Sequence, residues 1–551
     1  MKKNVREKSR QNIAKVISLA MASITCFSVA ACGGTEVGNE DNRNTIFISV
    51  FNGGYGRAWL DAIVSDYNTE HPENQYKISV RASKDEAATI KAQLESKSAV
   101  YDMFIISEPE QFMGTGLLEP ITDVWDSKPA GSDRTIRQMM ISEDEYADGY
   151  GDGKGEVYAL PMVEGIFGFV YDHELFLKYG LLFNEQGTFI TSATETLSKG
   201  KDGKANTYDD GHPETEAQWD AMVALATQKL GYAFNYTGKF ASYLNDTYEM
   251  LAAQYDGVDK YMINYTYDGT YDFGDGKGET KITMENGYRV AEMKGHKFAL
   301  EFMDKYLACK DTTLGITNPY TYPSSSTLSY SHEDAQTDFI SFTAQNKKQK
   351  IGMLLEGAWW ENEAKGFFDE LEEANYSDYT FRTHDYRFMT LPKFDGQADD
   401  ANVYSIADNM FLALKKQTDA EKSSICKDFM TYMLQPKYIQ DYTVRTGGIR
   451  PYDVELTTEQ KAGLSPFVKS SLELYYDKEN NKFIKPALSR ARSLPIRSGV
   501  ARPGGTTGYW IVINGLYYMN ADAYLSSMIN SRKNNWADKL KAYNDYMALR
   551  G

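Results

Sequence analysis

The chain has 551 residues, with 77 acidic against 59 basic side chains and a formal net charge of −18. A surface of that sign repels nucleic-acid phosphates and offers no attraction to anionic lipid headgroups, which argues against nucleic-acid binding. The length divides into at least two domains, and four cysteines make no disulfide scaffold, so apolar burial must supply the core.

The N-terminus carries Lys2, Lys3, Arg6, Lys8, Arg10 and Lys15 with only Glu7 against them, and a charge-free apolar run follows from Val16 to Ala31. That is the layout of a secretory signal, and it is short for a permanent span. The run ends in Val29, Ala30, Ala31 and Cys32, small side chains that a signal peptidase admits, as in a bacterial lipobox. The reading is a signal peptide over residues 1–31, with Cys32 as the lipidated first mature residue. An ordinary signal peptide with an incidental cysteine, or an unprocessed anchor helix, is the alternative. Removing residues 1–31 takes away five net positive charges and leaves the mature chain at −23. Residues 32–43, without apolar periodicity, read as a tether.

The first ordered element is a strand, "TIFISVF" at 45–51, followed by the flexible turn "NGGYG" and the helical pattern "RAWLDAIVSDYN". A second strand, "YKISVRA", a second helix, "EAATIKAQLES", and a third strand, "YDMFIIS", continue the alternation. Strand, helix, strand, helix, strand at this spacing describes a parallel sheet. A second strand-rich region opens with "VYALPMVEGIFGFVYD" at 157–172, and residues 216–231 form an amphipathic helix ending on glycine. "KIGMLLEG", "YRFMTLP" and "NMFLALK" read as strands, "EKSSICKDFMTYML" as a helix, and the last hundred residues as mostly helical.

"GDGKGE" occurs at 151–156 and again at 274–279. A calcium loop fails the twelve-position test, because Phe273 stands where the sharp turn needs glycine. Asp-Gly turns account for the same letters, with structural calcium as the alternative and no other cofactor indicated. Cys309 and Cys426 either pair or stay as buried thiols.

Aromatic residues carry the binding signal. "LLEGAWWENE" puts Trp359 and Trp360 just beyond an apolar strand, and "PGGTTGYWIVING" puts Trp510 after a glycine-rich turn. Strand-end turns are where α/β proteins build ligand sites. An aromatic face covers the C–H side of a sugar ring, while acidic and amide groups meet its hydroxyls. Adjacent tryptophans on extended chain point to opposite sides, so one of the pair is free to be core. Tyr55 occupies the first strand-to-helix turn, and Asp85 and Glu108 follow the second and third strands at the same sheet edge. Glu164 and Asp408, near strands, are further candidate hydroxyl acceptors, and Arg445 and Arg450 in "VRTGGIRPYD" are candidates for the same cleft. No nucleophile elbow, zinc-protease pair or P-loop is present, and 77 acidic residues allow carboxylate pairs to be chosen at will. The chain is read as a binder and not an enzyme.

Six fragments in order, from "ISVFNGGYGRAWLDAIVSDYNTEHPENQYKISV" to "KDFMTYMLQPKYIQDYTVRTGGIRPYD", make the chain resemble an extracellular solute-binding lipoprotein of an ABC importer. The resemblance is to the sugar-binding family that includes maltose-binding proteins. It implies an α/β fold of two lobes, like that of periplasmic binding proteins, with the ligand in a cleft between them. Lobe 1 is expected at 44–162 and 361–435, and lobe 2 at 163–360 and 436–551. The resemblance implies ligand contacts at Tyr55, Glu108, Trp359 or Trp360, and Trp510. It also implies a monomer on the outer face of the cytoplasmic membrane that delivers an oligosaccharide to membrane permease subunits. A surface glycan-capture lipoprotein, or an importer component for a peptide or polyol, is the alternative.

Overall fold

The computed structural model describes residues 44–551 except 84–86, 97–99, 108, 110–111, 114, 152–154, 311, 313–315, 486–519 and 551. Contacts separate Met1–Thr45 from Ile46–Gly551, and the architecture below is that of the second unit. The signal, tether and Cys32 lipidation readings lie outside the described residues, as do Asp85, Glu108 and Trp510. No helix among the described residues is long and apolar enough to cross a membrane.

The strands are β1 (Thr45–Val50), β2 (Lys77–Ala82), β3 (Met103–Ile106), β4 (Ala159–Asp172), β5 (Gly231–Asn235), β6 (Gly269–Asp272), β7 (Glu279–Ile282), β8 (Lys350–Gly357), β9 (Tyr386–Met389), β10 (Asn402–Leu414) and β11 (Asn481–Ile484). One sheet runs β2-β1-β3-β10-β4-β8-β5, with β9 also on β4 and β11 also on β10; β6 and β7 form a separate hairpin. The expected alternation opens the chain. Helix Ala58–Glu70 lies between β1 and β2 and buries Trp59, Leu60, Ile63, Val64 and Tyr67. β1 and β3 then pair in parallel.

β4 reads as an unbroken apolar run because it is buried along its whole length. Beyond the crossing, Phe167, Phe169 and Tyr171 enter one core, while Ile166 and Val170 enter another on the opposite side. The earlier part of the strand, Ala159 to Val163, belongs to a third core, shared with β1, β3 and helix Ala58–Glu70. β10 does the reverse. Val403, Tyr404 and Ile406 lie in the cores around β8, and Phe411 to Leu414 lie in the β1–β3 core. The two strands pair antiparallel, and their register shifts fall between Ile406 and Asp408 and between Met410 and Phe411. Those irregularities sit where both strands pass from one lobe to the other. A third passage follows helix Pro436–Thr446, where the Glu164 N–H donates to the Ile449 carbonyl at 2.9 Å.

These cores redraw the expected lobe boundaries. Phe368, Leu371, Tyr386, Phe388, Tyr404 and Ile406 belong to the second lobe, so the first does not take in the whole of 361–435. Tyr438, Ile439, Tyr442 and Tyr452 stay in the first lobe, so 436 is not the second crossing. The chain changes lobes inside continuous strand, where composition leaves no break.

The second "GDGKGE" stretch is the β6–β7 turn, in which Asp272 accepts from the Gly274 N–H and Asp275 from the Lys277 N–H. A small core of Ile263, Tyr267, Tyr271, Ile282, Val290 and Met293 under this hairpin is completed by Trp536, whose indole N–H donates to the Met284 carbonyl at 2.9 Å. Cys309 lies in a second-lobe core and Cys426 in the first-lobe core, both as buried free thiols that burial pushes above the ordinary thiol range.

Trp360 is wholly buried among Phe339, Phe368, Tyr386 and Phe467, with ring centroids 4.9–6.1 Å away. It is a core residue and not a ligand contact, because helix Trp360–Glu363 begins at this position and turns it inward. Trp360→Ala should lower the unfolding free energy by about 3–5 kcal/mol in a chemical denaturation experiment.

Candidate ligand-binding cleft

Three strand ends supply the site. β1 runs out into Phe51 and the turn 52–56, β8 into Ala358 and Trp359, and β5, parallel to β8, into the segment that reaches Phe240. The carboxyl ends of such strands are where open α/β sheets place ligands.

The β1 turn of the first lobe and the β8 turn of the second meet directly. A Cβ at Gly54 would stand 2.7 Å from Cβ and Cδ1 of Trp359, so only glycine admits the indole there. The Asn362 side-chain amide donates to the Gly54 carbonyl at 2.7 Å and fixes the contact. Tyr55 meets Trp359 edge-on, with centroids 6.4 Å apart and planes at 80°, and leans on Tyr442 at 5.9 Å. The third passage closes over the same rings. A Cβ at Gly448 would lie 2.8 Å from Tyr55 Cε1 and 2.7 Å from Tyr442 Cε1. Tyr55 is thus 5 % exposed, while Trp359 is half-buried between the two lobes' cores.

Exposed rings lie just beyond the ends of β1 and β5. Phe51 is 46 % exposed and Phe240 is 37 % exposed, large values for phenylalanine. Phe240 packs against His332 at 5.2 Å, and Tyr243 stacks on the same imidazole at 6.5 Å. Sequence reasoning passed over both phenylalanines. Phe51 was counted as the end of its strand, and Phe240 stands in a Tyr-rich stretch without clear periodicity.

Beneath Trp359 lies a paired-carboxyl group. The Gln336 amide donates to Glu356 Oε2 at 3.1 Å and to Glu363 Oε2 at 2.7 Å. Glu356 Oε1 accepts from the Gly357 N–H at 3.0 Å, and His332 Nε2 lies 3.2 Å from Glu363 Oε1. Burial first, and then the neighbouring Glu363 charge, push the Glu356 carboxyl well above the usual carboxylate range. Burial pulls His332 down, but hydrogen bonding and attraction to Glu363 outweigh it and leave the imidazole raised.

Glu164, expected to meet ligand hydroxyls, has no exposure and is spoken for. Its carboxylate accepts from Tyr146 and Tyr475 and pairs with Lys485 at 2.8 Å. Burial pushes its pKa up, yet the Lys485 charge and these hydrogen bonds prevail and hold it below the ordinary value. Asp408 lies on β10 in register with Gly165 at the lobe passage. Arg450 is buried, its guanidinium 4.8 Å from the Trp59 ring and 4.7 Å from the Tyr442 ring. Arg445 is on the surface, paired with Asp441. The structure therefore brings Tyr55 and Trp359 together and sets Trp360 and Glu164 apart as structural groups.

Residues 62–460 match the family model described as bacterial extracellular solute-binding protein. The chain belongs to this family. No curated protein matches this solute-binding protein in sequence. Among solved structures, it is similar to a chitin oligosaccharide binding protein at 13 % identity, covering 90 % of this chain and 99 % of that one, with a TM-score of 0.55. A probable secreted solute-binding lipoprotein from Streptomyces coelicolor aligns at 12 % identity over 90 % of this chain and all of the other, with a TM-score of 0.52. A sugar transporter from Bacillus licheniformis in complex with stachyose does so at 15 % identity over 90 % and 100 %, with a TM-score of 0.50. At these identities the likeness establishes the two-lobe α/β binding-protein fold.

Because folding raises the Glu356 pKa above its ordinary 4.5, its contribution to stability is fully present below pH 4.5 and is lost as pH rises. Glu356→Gln stays neutral throughout. Wild-type unfolding free energy should therefore fall relative to Glu356→Gln as pH is raised from 4.5, by about 1.4 kcal/mol per pH unit until the carboxyl ionises. Denaturant unfolding across a pH series reads the difference.

Proposed function

We propose that this solute-binding protein captures an oligosaccharide between its lobes and delivers it to the membrane subunits of an ABC importer. The observation that carries the reading is the meeting of Tyr55 from the first lobe with Trp359 from the second at the strand ends. Trp359, half-buried, offers the ring face for a sugar, and Gly54 and Tyr55 of the other lobe back it only when the lobes are together, so solute favours the closed form. The shift in population equals the difference in affinity between closed and open forms. The exposure of Phe51 and Phe240, just beyond the ends of β1 and β5, supports them as further rings for the solute. Glu108, Asp85 and Trp510 remain proposed contacts on sequence grounds. The role is binding without catalysis, by a monomer, and an ATPase elsewhere supplies the energy.

Titration of the protein with mono-, di- and oligosaccharides, peptides and polyols, followed by tryptophan fluorescence, tests the solute class. Saturable binding of an oligosaccharide is expected. Binding of only peptides or polyols would replace the sugar and keep the importer. Trp359→Ala should weaken the oligosaccharide by about 1 kcal/mol or more, roughly fivefold, in the same titration.

The basic N-terminal head, the apolar run and the small residues before Cys32 support a further part of this reading, in which the protein lies outside the cytoplasmic membrane and is held there by lipid on Cys32. Two or more acyl chains give durable attachment where a single chain does not. Cys32→Ser should move the protein from the membrane fraction into the soluble fraction of cells expressing it. Retention in the membrane would end the lipid-anchor reading without touching the solute.

A further inference from the structure

Glu164 is a fully buried carboxylate at the point where the chain passes between lobes. Its backbone lies on β4 beside the third passage, bonded to Ile449. Its two oxygens are divided between groups from both sides. Oε1 accepts from the Tyr146 hydroxyl, on helix Glu143–Tyr150 of the first lobe. Oε2 accepts at 2.6 Å from the Tyr475 hydroxyl, on helix Pro466–Tyr476 of the second. Lys485, which follows β11 in the second lobe, lies 2.8 Å from Oε1. It also reaches back to the first-lobe helix, 3.1 Å from Glu145 Oε2 and 3.2 Å from Ser142 Oγ.

We propose that Glu164 is a positioning residue of the hinge, a pin that holds one phenol from each lobe and so sets the angle from which the lobes close on solute. This rests on the reading above, that solute is held by lobe closure.

The argument is one of direction. Rotation about β4 between Val163 and Gly165 would carry Tyr146 one way and Tyr475 the other, and would pull on Lys485, which is bonded on both sides. A buried carboxylate that loses a partner finds no water to replace it, so a rotation that parts the group is penalised. A rotation that keeps the two phenols on their oxygens is not. Apolar side chains of the same volume would hold the lobes together as well or better. What the carboxylate adds is acceptors for groups of both lobes at once, Tyr146 and Lys485 at one oxygen and Tyr475 at the other. That is a reason for a charge here which packing alone does not supply. Glu164 has no exposure, so the effect on solute runs through lobe geometry.

The test is single-molecule energy transfer in the full-length chain without any solute. Dyes are placed through unnatural amino acids at Lys91 and Glu372, exposed positions on helices of the first and second lobes. Glu164→Gln should lengthen the mean dye separation and widen its distribution relative to wild type. Tyr475→Phe keeps the ring and removes only the second-lobe hydrogen bond; it should shift the same way by less, and it serves if Glu164→Gln does not fold. Unchanged distributions in these variants, with Tm lowered, would reduce Glu164 to an ordinary buried ion pair and overturn the proposal. That result would leave the solute assignment intact, because wild-type titration reads it separately.

Discussion

The architecture depends on the antiparallel pairing of β4 and β10. Each strand begins in one lobe and ends in the other, so a single ladder of hydrogen bonds belongs to both cores at once. Backbone groups in a buried sheet must be paired, and this ladder leaves them no alternative. Regular pairing resists bending, and the register shifts at 406–408 and 410–411 interrupt it where the lobes part. The third passage, tied to β4 through Glu164 and Ile449, keeps the joint from being a free pivot. The two sets of cores are thus joined at three short passages, β4, β10 and the segment through Ile449.

The cleft follows from that constraint. The strand order puts the ends of β1, β5 and β8 where the turns carry glycine and aromatic side chains. Gly54, Gly357 and Gly448 are positions at which the approach of Trp359, Tyr55 and Tyr442 leaves no room for a Cβ. The rings therefore touch across the lobes through backbone, and Asn362 bonded to the Gly54 carbonyl supplies the directional part.

Much of this was legible in the sequence. The opening strand–helix alternation, the strands β4 and β8, and the placing of Tyr55 and Trp359 in turns after strands all follow from local periodicity and turn chemistry. What local patterns could not reveal was membership. "NMFLALK" reads as a strand, but β10 starts seven residues earlier, at Asn402, where the run looks too polar. Its amide is satisfied by Asn481, far along the chain. Glu164 looks like a ligand acceptor because its partners, Tyr146, Tyr475 and Lys485, come from distant segments that only folding assembles. Trp360 differs from Trp359 by one position, and the helix that starts there decides which of the two faces the core.

The small core beneath the β6–β7 hairpin has a consequence of its own. Residues 263–293 supply all of its buried members but one, and the last, Trp536, bonds back to Met284 across 252 residues. Closing so long a loop costs entropy before the contact repays it. During synthesis this core is therefore complete only once Trp536, near the end of the sequence, has been made.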